Sequence, residues 1–477
     1  MYSNSINYYK WETKKYKELF NSFKEFINIK SLQFYMPVFS LYFYIHNKSN
    51  ANKKIDLRRN FYIKNVNEII KERYYNSNII FKGDIYDSSK NIVENKEIFC
   101  KCIPILDSIH CINNNYNIVS HNNHLLPSTY NYNTFNKIND IDNTAYIDVF
   151  FSFIASELTY NKINPSFPLY YGSFNGIGDY KYDITDEYHD IKIDKCFNEM
   201  IDKSFKLDVY LSDSDDDDDD DDNNEGSDTS SSNSDNSYYN EDYIATIKNI
   251  PVQYLFIERL KGTLEDLIME NITEEVLLSC IFQISFALIY LQKNFKFTHN
   301  DLHINNIMYV NTETKYLYYK YNNTYYRVPT HGKIFKIIDF GRSIFTYHNK
   351  VFLNDVFSDY GEAGGQYTYP RQVNYLLKND KDNILPNYNF DLCRLSMTIL
   401  EELNLENYSE NFIKFMNKMC LDKDENSFLN MPDDFRLYIN IAKYACNSLP
   451  REVIMNNIFN QYRIKKKLFP RKSYYTV

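Results

Sequence analysis

The chain has 477 residues and a formal net charge of −10, a length that calls for two or three domains rather than one small core. Hydrophobic residues make up 44% and charged residues 24%, the balance of a soluble globular protein, which excludes a fibrous or wholly disordered chain. Residues 212–242 hold 14 acidic side chains and no Lys or Arg, so the remainder carries 49 acidic against 53 basic residues; that mildly basic body suits an anionic ligand and falls short of a nucleic-acid footprint.

In chain order, residues 14–30 place Tyr16, Leu19, Phe20, Phe23, Phe26 and Ile27 at helical spacing, which predicts an amphipathic helix packed on the body. "FYMPVFSLYFYI" (34–45) is apolar but short and broken by Pro37, below the ~20 residues that span a bilayer. From 78 to 106, "NIIFKGDIY", a polar turn and "EIFCKCIPIL" read as strands. Residues 107–140 read as an Asn-rich loop, 144–162 as a helix, and "PLYYGSF" and "VQYLFIERL" as further strands. The three glycines of "GSFNGIGDY" (172–180) read as loop. The excursion 175–245 contains the acidic run, whose composition cannot bury enough apolar area to order it; disorder is expected at about 205–243. Ser212 and Ser214 there are followed by carboxylates that would suit an acid-directed kinase. After residue 263 the pattern is helical, over 263–271, 273–293, 391–404, 408–420 and 433–447. The apolar run 276–291 is interrupted by Ser279, Gln283 and Ser285 and reads as a buried helix, with no membrane span expected. Eight scattered cysteines without metal-ligand spacing point to reduced thiols in a cytosol-like compartment.

Two stretches carry chemistry. "HNDLHINNIM" (299–308) sets Asp301 five positions before Asn306 on a short polar stretch between apolar runs. "FKIIDFGRS" (335–343) is an apolar strand ending in Asp339-Phe340-Gly341, which delivers one carboxylate at a turn. A carboxylate that orients a hydroxyl, with an amide and a carboxylate for a divalent metal, is what phosphoryl transfer from a nucleotide demands.

The pattern H-x-D-x-x-x-x-N followed by a strand and D-F-G resembles the catalytic and metal-binding loops of the protein kinase superfamily. The resemblance extends over roughly residues 78–447. Lys101 in "EIFCKCIPIL" sits where the family has its strand lysine, and Glu157 in "IASELTY" stands for the helix glutamate that pairs with it. "NPSFPLYYG" is similar to the turn into the family's fourth strand. "YLFIERLKGTLEDLI" is similar to the adenine-holding hinge, with Glu258, Arg259 and Leu260 at the connection. "NFDLCRLSMTILEEL" resembles the buried helix whose aspartate, here Asp391, braces the catalytic loop. By this resemblance Asp301 orients the acceptor hydroxyl, Asn306 and Asp339 bind Mg²⁺, Lys101 held by Glu157 steadies the ATP phosphates, and His299 is structural.

Several positions depart from the family. Gly83 is the only glycine before Lys101, and so the only candidate there for close backbone approach to phosphates. Asn300 replaces the arginine that pairs with a phosphorylated activation loop, which predicts activity without phosphorylation of 342–390. His303 replaces a lysine, and "DLH" is similar to haspin-like and small-molecule kinases. "GEAGGQYTYPRQ" (361–372) stands where the family has A-P-E. Insertions at 107–143, 175–245 and 311–332, with Asn, Lys and Tyr richness, resemble serine/threonine kinases of giant DNA viruses.

The resemblance implies an α+β, two-lobed protein-kinase-like fold, with an antiparallel-sheet N-lobe carrying one main helix and a mostly helical C-lobe. The expected divisions are an N-terminal helical extension (1–77), an N-lobe (78–260) and a C-lobe with a basic tail (261–477). The implied function is ATP- and Mg²⁺-dependent transfer to protein serine or threonine hydroxyls. A pseudokinase scaffold and a small-molecule kinase are the alternatives. A protein substrate, no nucleic acid and a cytoplasmic setting, in a host cell or virion, complete the expectation. The tail "YRIKKKLFPRKSYY" reads as a solvated basic segment.

Overall fold

The computed structural model describes residues 13–33, 37, 61–87, 89–118, 125–127, 135–212, 240–347, 350–358, 361–367, 386–432 and 435–477. "FYMPVFSLYFYI" and the acidic run lie almost wholly outside these residues. The architecture is α+β, with an antiparallel sheet in the first half and mostly helices in the second.

The first half is built on strands β1 (Ile29–Gln33), β2 (Phe61–Glu72), β3 (Ile79–Asp87), β4 (Ile92–Pro104), β5 (Tyr170–Asp183), β6 (Phe205–Ser212) and β7 (Asn240–Glu258). They form one sheet in the order β1-β5-β7-β4-β3-β2, with β6 also paired to β7, and every pairing is antiparallel. Helix α1 (Thr13–Phe26) lays Leu19 and Phe23 on this sheet, and the Phe23 ring packs 5.0–5.6 Å from those of Phe81, Phe174, Tyr254 and Phe256. Helix α2 (Thr144–Tyr160) begins at Asn143, whose side chain accepts from the Ala145 N–H. Thirteen of its residues are buried, so the apolar side chains wrap the whole helix rather than one stripe.

Three expectations change here. The N-terminal extension is not only helical: β1 and β2 belong to the sheet. "GSFNGIGDY" is part of β5, not a loop. A Cβ on Gly176 would lie 2.4 Å from Ile29 Cδ1, and one on Gly178 would lie 2.8 Å from the Tyr254 hydroxyl, so these glycines let β1 and an aromatic ring close on the strand. Finally, order extends well into the 175–245 excursion, through Thr185–Ile191, Lys195–Met200 and β6, because β6 extends the sheet along β7.

After β7 come β8 (Gly262–Thr263), the helix Leu264–Met269 and helix α3 (Glu274–Phe295). Helix α3 is the one helix among the described residues long and apolar enough to cross a membrane, and 83% of its apolar window is buried inside the protein. Its polar Gln283 is accounted for, since Oε1 accepts from the Phe335 N–H at 3.1 Å. Strands β9 (Ile307–Asn311) and β12 (Lys333–Ile337) pair antiparallel, so that the start of β9 and the end of β12, where the site's two loops join them, lie side by side. The insertion 311–332 forms a hairpin, β10 (Tyr316–Tyr321) and β11 (Thr324–Pro329), joined by short C-terminal strands at Arg463–Ile464 and Tyr475–Thr476. Helices α4 (Phe390–Glu402) and α5 (Phe435–Tyr444) pack beneath the loop after α3.

Candidate active site

Lys101 lies in β4, paired with Leu255 of the neighbouring strand. Its ammonium is 2.7 Å from Asp148 Oδ2 and 2.9 Å from Asp339 Oδ2. Burial disfavours the charged ammonium, but the two carboxylates outweigh it and hold Lys101 above its ordinary range. For Asp339 burial works upward, but the charge and hydrogen bond of Lys101, together with His299 and the Gly341 N–H, outweigh it and bring the carboxyl to about 2. Asp148 is only 2% exposed, and there burial wins, raising the group despite the same lysine. Of the two carboxylates, Asp339 therefore holds its charge more firmly.

Glu157 does not make the expected pair. It lies nine residues beyond Asp148 on α2, about 13 Å along the axis at 1.5 Å per residue. There its Oε2 accepts from Asn161 Nδ2 at 3.0 Å. Asp148 takes the role, and it does more: its Oδ1 accepts from the Phe340 N–H at 3.0 Å, tying α2 to the residue after Asp339. The sequence signal was available. Asp148 is the one charged residue in the first three turns of an otherwise apolar helix, and a charge in that setting has to be paired.

The loop of Asp301 and Asn306 is braced from below. Asp391, in the first turn of α4, accepts from the His299 N–H with both oxygens at 3.0 Å and from the Asn300 N–H at 3.0 Å. His299 Nε2 lies 2.8 Å from the Ile338 carbonyl, and the Ile338 N–H reaches the Asn306 carbonyl at 3.1 Å. These two bonds hold the 299–306 loop against the strand that ends at Asp339. Both Asn300 (φ 64°) and Asp339 (φ 59°) sit in the left-handed region, a strain that is held by the surrounding bonds. Asn306 donates from Nδ2 to the Asp301 carbonyl at 2.8 Å, and the same nitrogen is 3.0 Å from His303 Nε2. The carbonyl partner fixes the amide's orientation and leaves its oxygen to face a cation. Burial lowers His303, which keeps it neutral and able to accept there.

Asp339 and the Asn306 amide oxygen are hard oxygen donors, and Mg²⁺ is commonly held by one or two protein oxygens with phosphates and water completing its shell. Among the described residues no group of three or more His, Cys, Asp or Glu could hold a metal by itself. The donor set fits Mg²⁺ shared with a nucleotide.

The hinge and phosphate positions differ from expectation. Glu258 turns inward: its Oε2 accepts from the Leu169 N–H at 3.1 Å and from Lys336 Nζ at 3.1 Å, and its N–H donates to the Leu169 carbonyl. Its side chain is therefore a tie between β7 and β12, not a ligand contact. Leu260 is buried beyond it. Gly83 lies mid-strand in β3, opposite Val66 and Lys96, and a Cβ there would meet the Asn65 carbonyl at 2.7 Å. It serves strand approach. The turn between β2 and β3, residues 73–78, contains no glycine and is held by side chains: Asn78 Oδ1 accepts from the Cys102 N–H, and Ser77 Oγ accepts from the Lys181 N–H.

Asp301 meets residues that no motif announced. Tyr438 of α5 donates its hydroxyl hydrogen to Asp301 Oδ1 at 3.0 Å, and Arg342 Nη1 lies 3.8 Å from the same oxygen.

No protein-family model matches the chain. A stretch of 151 residues, 32% of this chain, is 24% identical to mouse (Mus musculus) serine/threonine-protein kinase haspin, and the match spans 19% of that protein's length. The giant-virus likeness finds no support in this match. The similarity is weak and partial, and it points to the protein kinase superfamily.

Proposed function

We propose that the protein is a two-lobed kinase that uses ATP and Mg²⁺ to phosphorylate protein serine or threonine hydroxyls. The observation that carries this reading is the convergence of Lys101, Asp148 and Asp339 beside a backbone-braced loop holding Asp301 and Asn306. The strand order β2-β3-β4-β7-β5, with Lys101 in its third member and a buried helix pairing with it, supports the fold assignment.

In this reading Lys101 binds the nucleotide phosphates, and Asp148 keeps its ammonium in place. Asp339 and Asn306 would hold Mg²⁺, which neutralises phosphate charge when bound. Asp301 accepts the hydrogen bond of the acceptor hydroxyl and orients its oxygen. Asp391 and His299 keep the loop from shifting. Leu260, buried two residues past the end of β7, is the residue this reading assigns to packing against the adenine. All eight cysteines are free, which supports a reducing, cytoplasmic setting.

A pseudokinase is the second reading, favoured by the turn at 73–78 that lacks glycine. Labelled ATP with Mg²⁺ separates the two, comparing wild type with Asp339→Asn and Asp301→Ala. The kinase reading expects label on protein from the wild type alone. Equal incorporation by all three overturns the catalytic assignment, and nucleotide binding without transfer favours the pseudokinase.

A further inference from the structure

We propose that the Tyr438 hydroxyl is a positioning group for Asp301, holding Oδ1 so that Oδ2 is presented to the acceptor. This deepens the phosphoryl-transfer reading and rests on it.

The hydrogen-bond directions are set by chemistry. Arg394 Nε points at the Tyr438 hydroxyl oxygen from 3.4 Å, and a guanidinium can only donate. The tyrosine oxygen therefore accepts there, and its single hydrogen goes to Asp301 Oδ1. Burial, aided by the charge of Asp301, raises the phenol above its ordinary range, so it remains a donor at neutral pH.

The ring is also held in place. Phe435 stacks on it at 6.0 Å with an interplanar angle of 12°, Phe390 lies 5.9 Å away, and the guanidiniums of Arg394 and Arg342 sit 5.3 and 5.9 Å from its centroid. Arg394 is one helical turn beyond Asp391 on α4. One helix thus supports the loop twice: through Asp391 on its backbone, and through Arg394 and Tyr438 on its carboxylate. Asp301 Oδ2 makes no hydrogen bond among the described residues, whereas Oδ1 accepts from Tyr438 and has the Arg342 guanidinium 3.8 Å away. An acceptor hydroxyl at Oδ2 does not compete with Tyr438, and a carboxylate fixed by one oxygen loses rotamer freedom before the acceptor arrives.

The test uses the full chain, Mg-ATP and myelin basic protein as a general acceptor, with ATP hydrolysis as a second readout. Tyr438→Phe removes the hydroxyl and keeps the ring. Expected are a kcat about ten- to a hundredfold lower, the scale of one hydrogen bond to a charged group, with unchanged ATP KM and a melting temperature at most a few degrees lower. Tyr438→Leu should lose the same kcat and melt lower still. In an Asp301→Ala background Tyr438→Phe should cost nothing further, because the hydroxyl acts through that carboxylate. A wild-type or higher kcat in Tyr438→Phe overturns the positioning role, while leaving the kinase reading intact. So does a full additional loss in the Asp301→Ala background. Absence of transfer by the wild type overturns the reaction reading, and the positioning role with it.

Discussion

Tyr367 donates its hydroxyl hydrogen to Asn300 Oδ1 at 2.6 Å, while Asn300 Nδ2 reaches the Arg342 carbonyl at 3.1 Å. Asn300 is fully buried, so both ends of its amide join the Asp301 loop to the segment following Asp339-Phe340-Gly341. A neutral amide and a phenol make this connection, with no charged group on either side.

The segment should accordingly need no phosphate. Ser343→Ala, Thr346→Ala and Ser358→Ala are each expected to retain activity within about threefold, since none removes this tether. Tyr367→Phe removes one neutral hydrogen bond and should lower activity about fivefold. Label transfer from ATP measures all four, and a complete loss in any alanine variant would count against the tether.

Asp148 and Glu157 should separate cleanly. Asp148→Ala leaves a buried lysine short of a partner and a Phe340 N–H without an acceptor, so a loss of about 3 kcal/mol is expected, together with a raised ATP KM. Glu157→Ala should stay within about 0.5 kcal/mol. Urea unfolding of the two variants decides; equal effects would mean that the pairing of Lys101 has been misassigned.

Asp391→Ala strands the buried His299 and Asn300 N–H groups. The expected destabilisation is about 2–4 kcal/mol, with loss of activity because the Asp301 loop is no longer held. Hydrogen exchange of those two amides reads it directly: they should be protected in the wild type and exchange freely in the variant.

The Lys101–Asp339 pair also predicts a pH dependence. Asp339 is depressed to about 2 from an ordinary carboxylate value of about 3.9, so its folded state binds fewer protons than the unfolded chain in between. Its contribution is fully present above pH ~4 and is lost as pH falls through ~2. The difference in melting temperature between wild type and Asp339→Asn should be constant from pH 7 to about 4 and narrow only below that. A difference that already changes between pH 7 and 5 would contradict the pairing.

The elements legible in the sequence were those whose signal is local. Helix α2, the strand of Lys101 and the helices after residue 263 announce themselves by apolar spacing, and the Asp301–Asn306 and Asp339 loops by short-range pattern. The glycines at 172–178 misled, because glycine marks a turn and a close strand approach equally well. Only the neighbouring β1 and Tyr254 distinguish these. Strand β6 was obscured by the acidic run beside it, whose composition dominates any window that includes both.

For this protein the sequence by itself determined which side chains could carry the chemistry: one lysine on a strand, an aspartate and an asparagine five apart, and a carboxylate at a strand end. The resemblance to kinase motifs, not the residue pattern itself, suggested Asp391 as the brace beneath their loop. Tertiary structure alone decided the partners. Asp148 rather than Glu157 meets Lys101 because helix phase and strand position, not residue type, choose which carboxylate faces the ammonium. Tyr438 reaches Asp301 across 137 residues and Tyr367 reaches Asn300 across 67, contacts made by packing α5 and the 361–367 segment against one loop. No periodicity records such meetings, because hydrogen bonds between distant elements depend on where the chain returns in space.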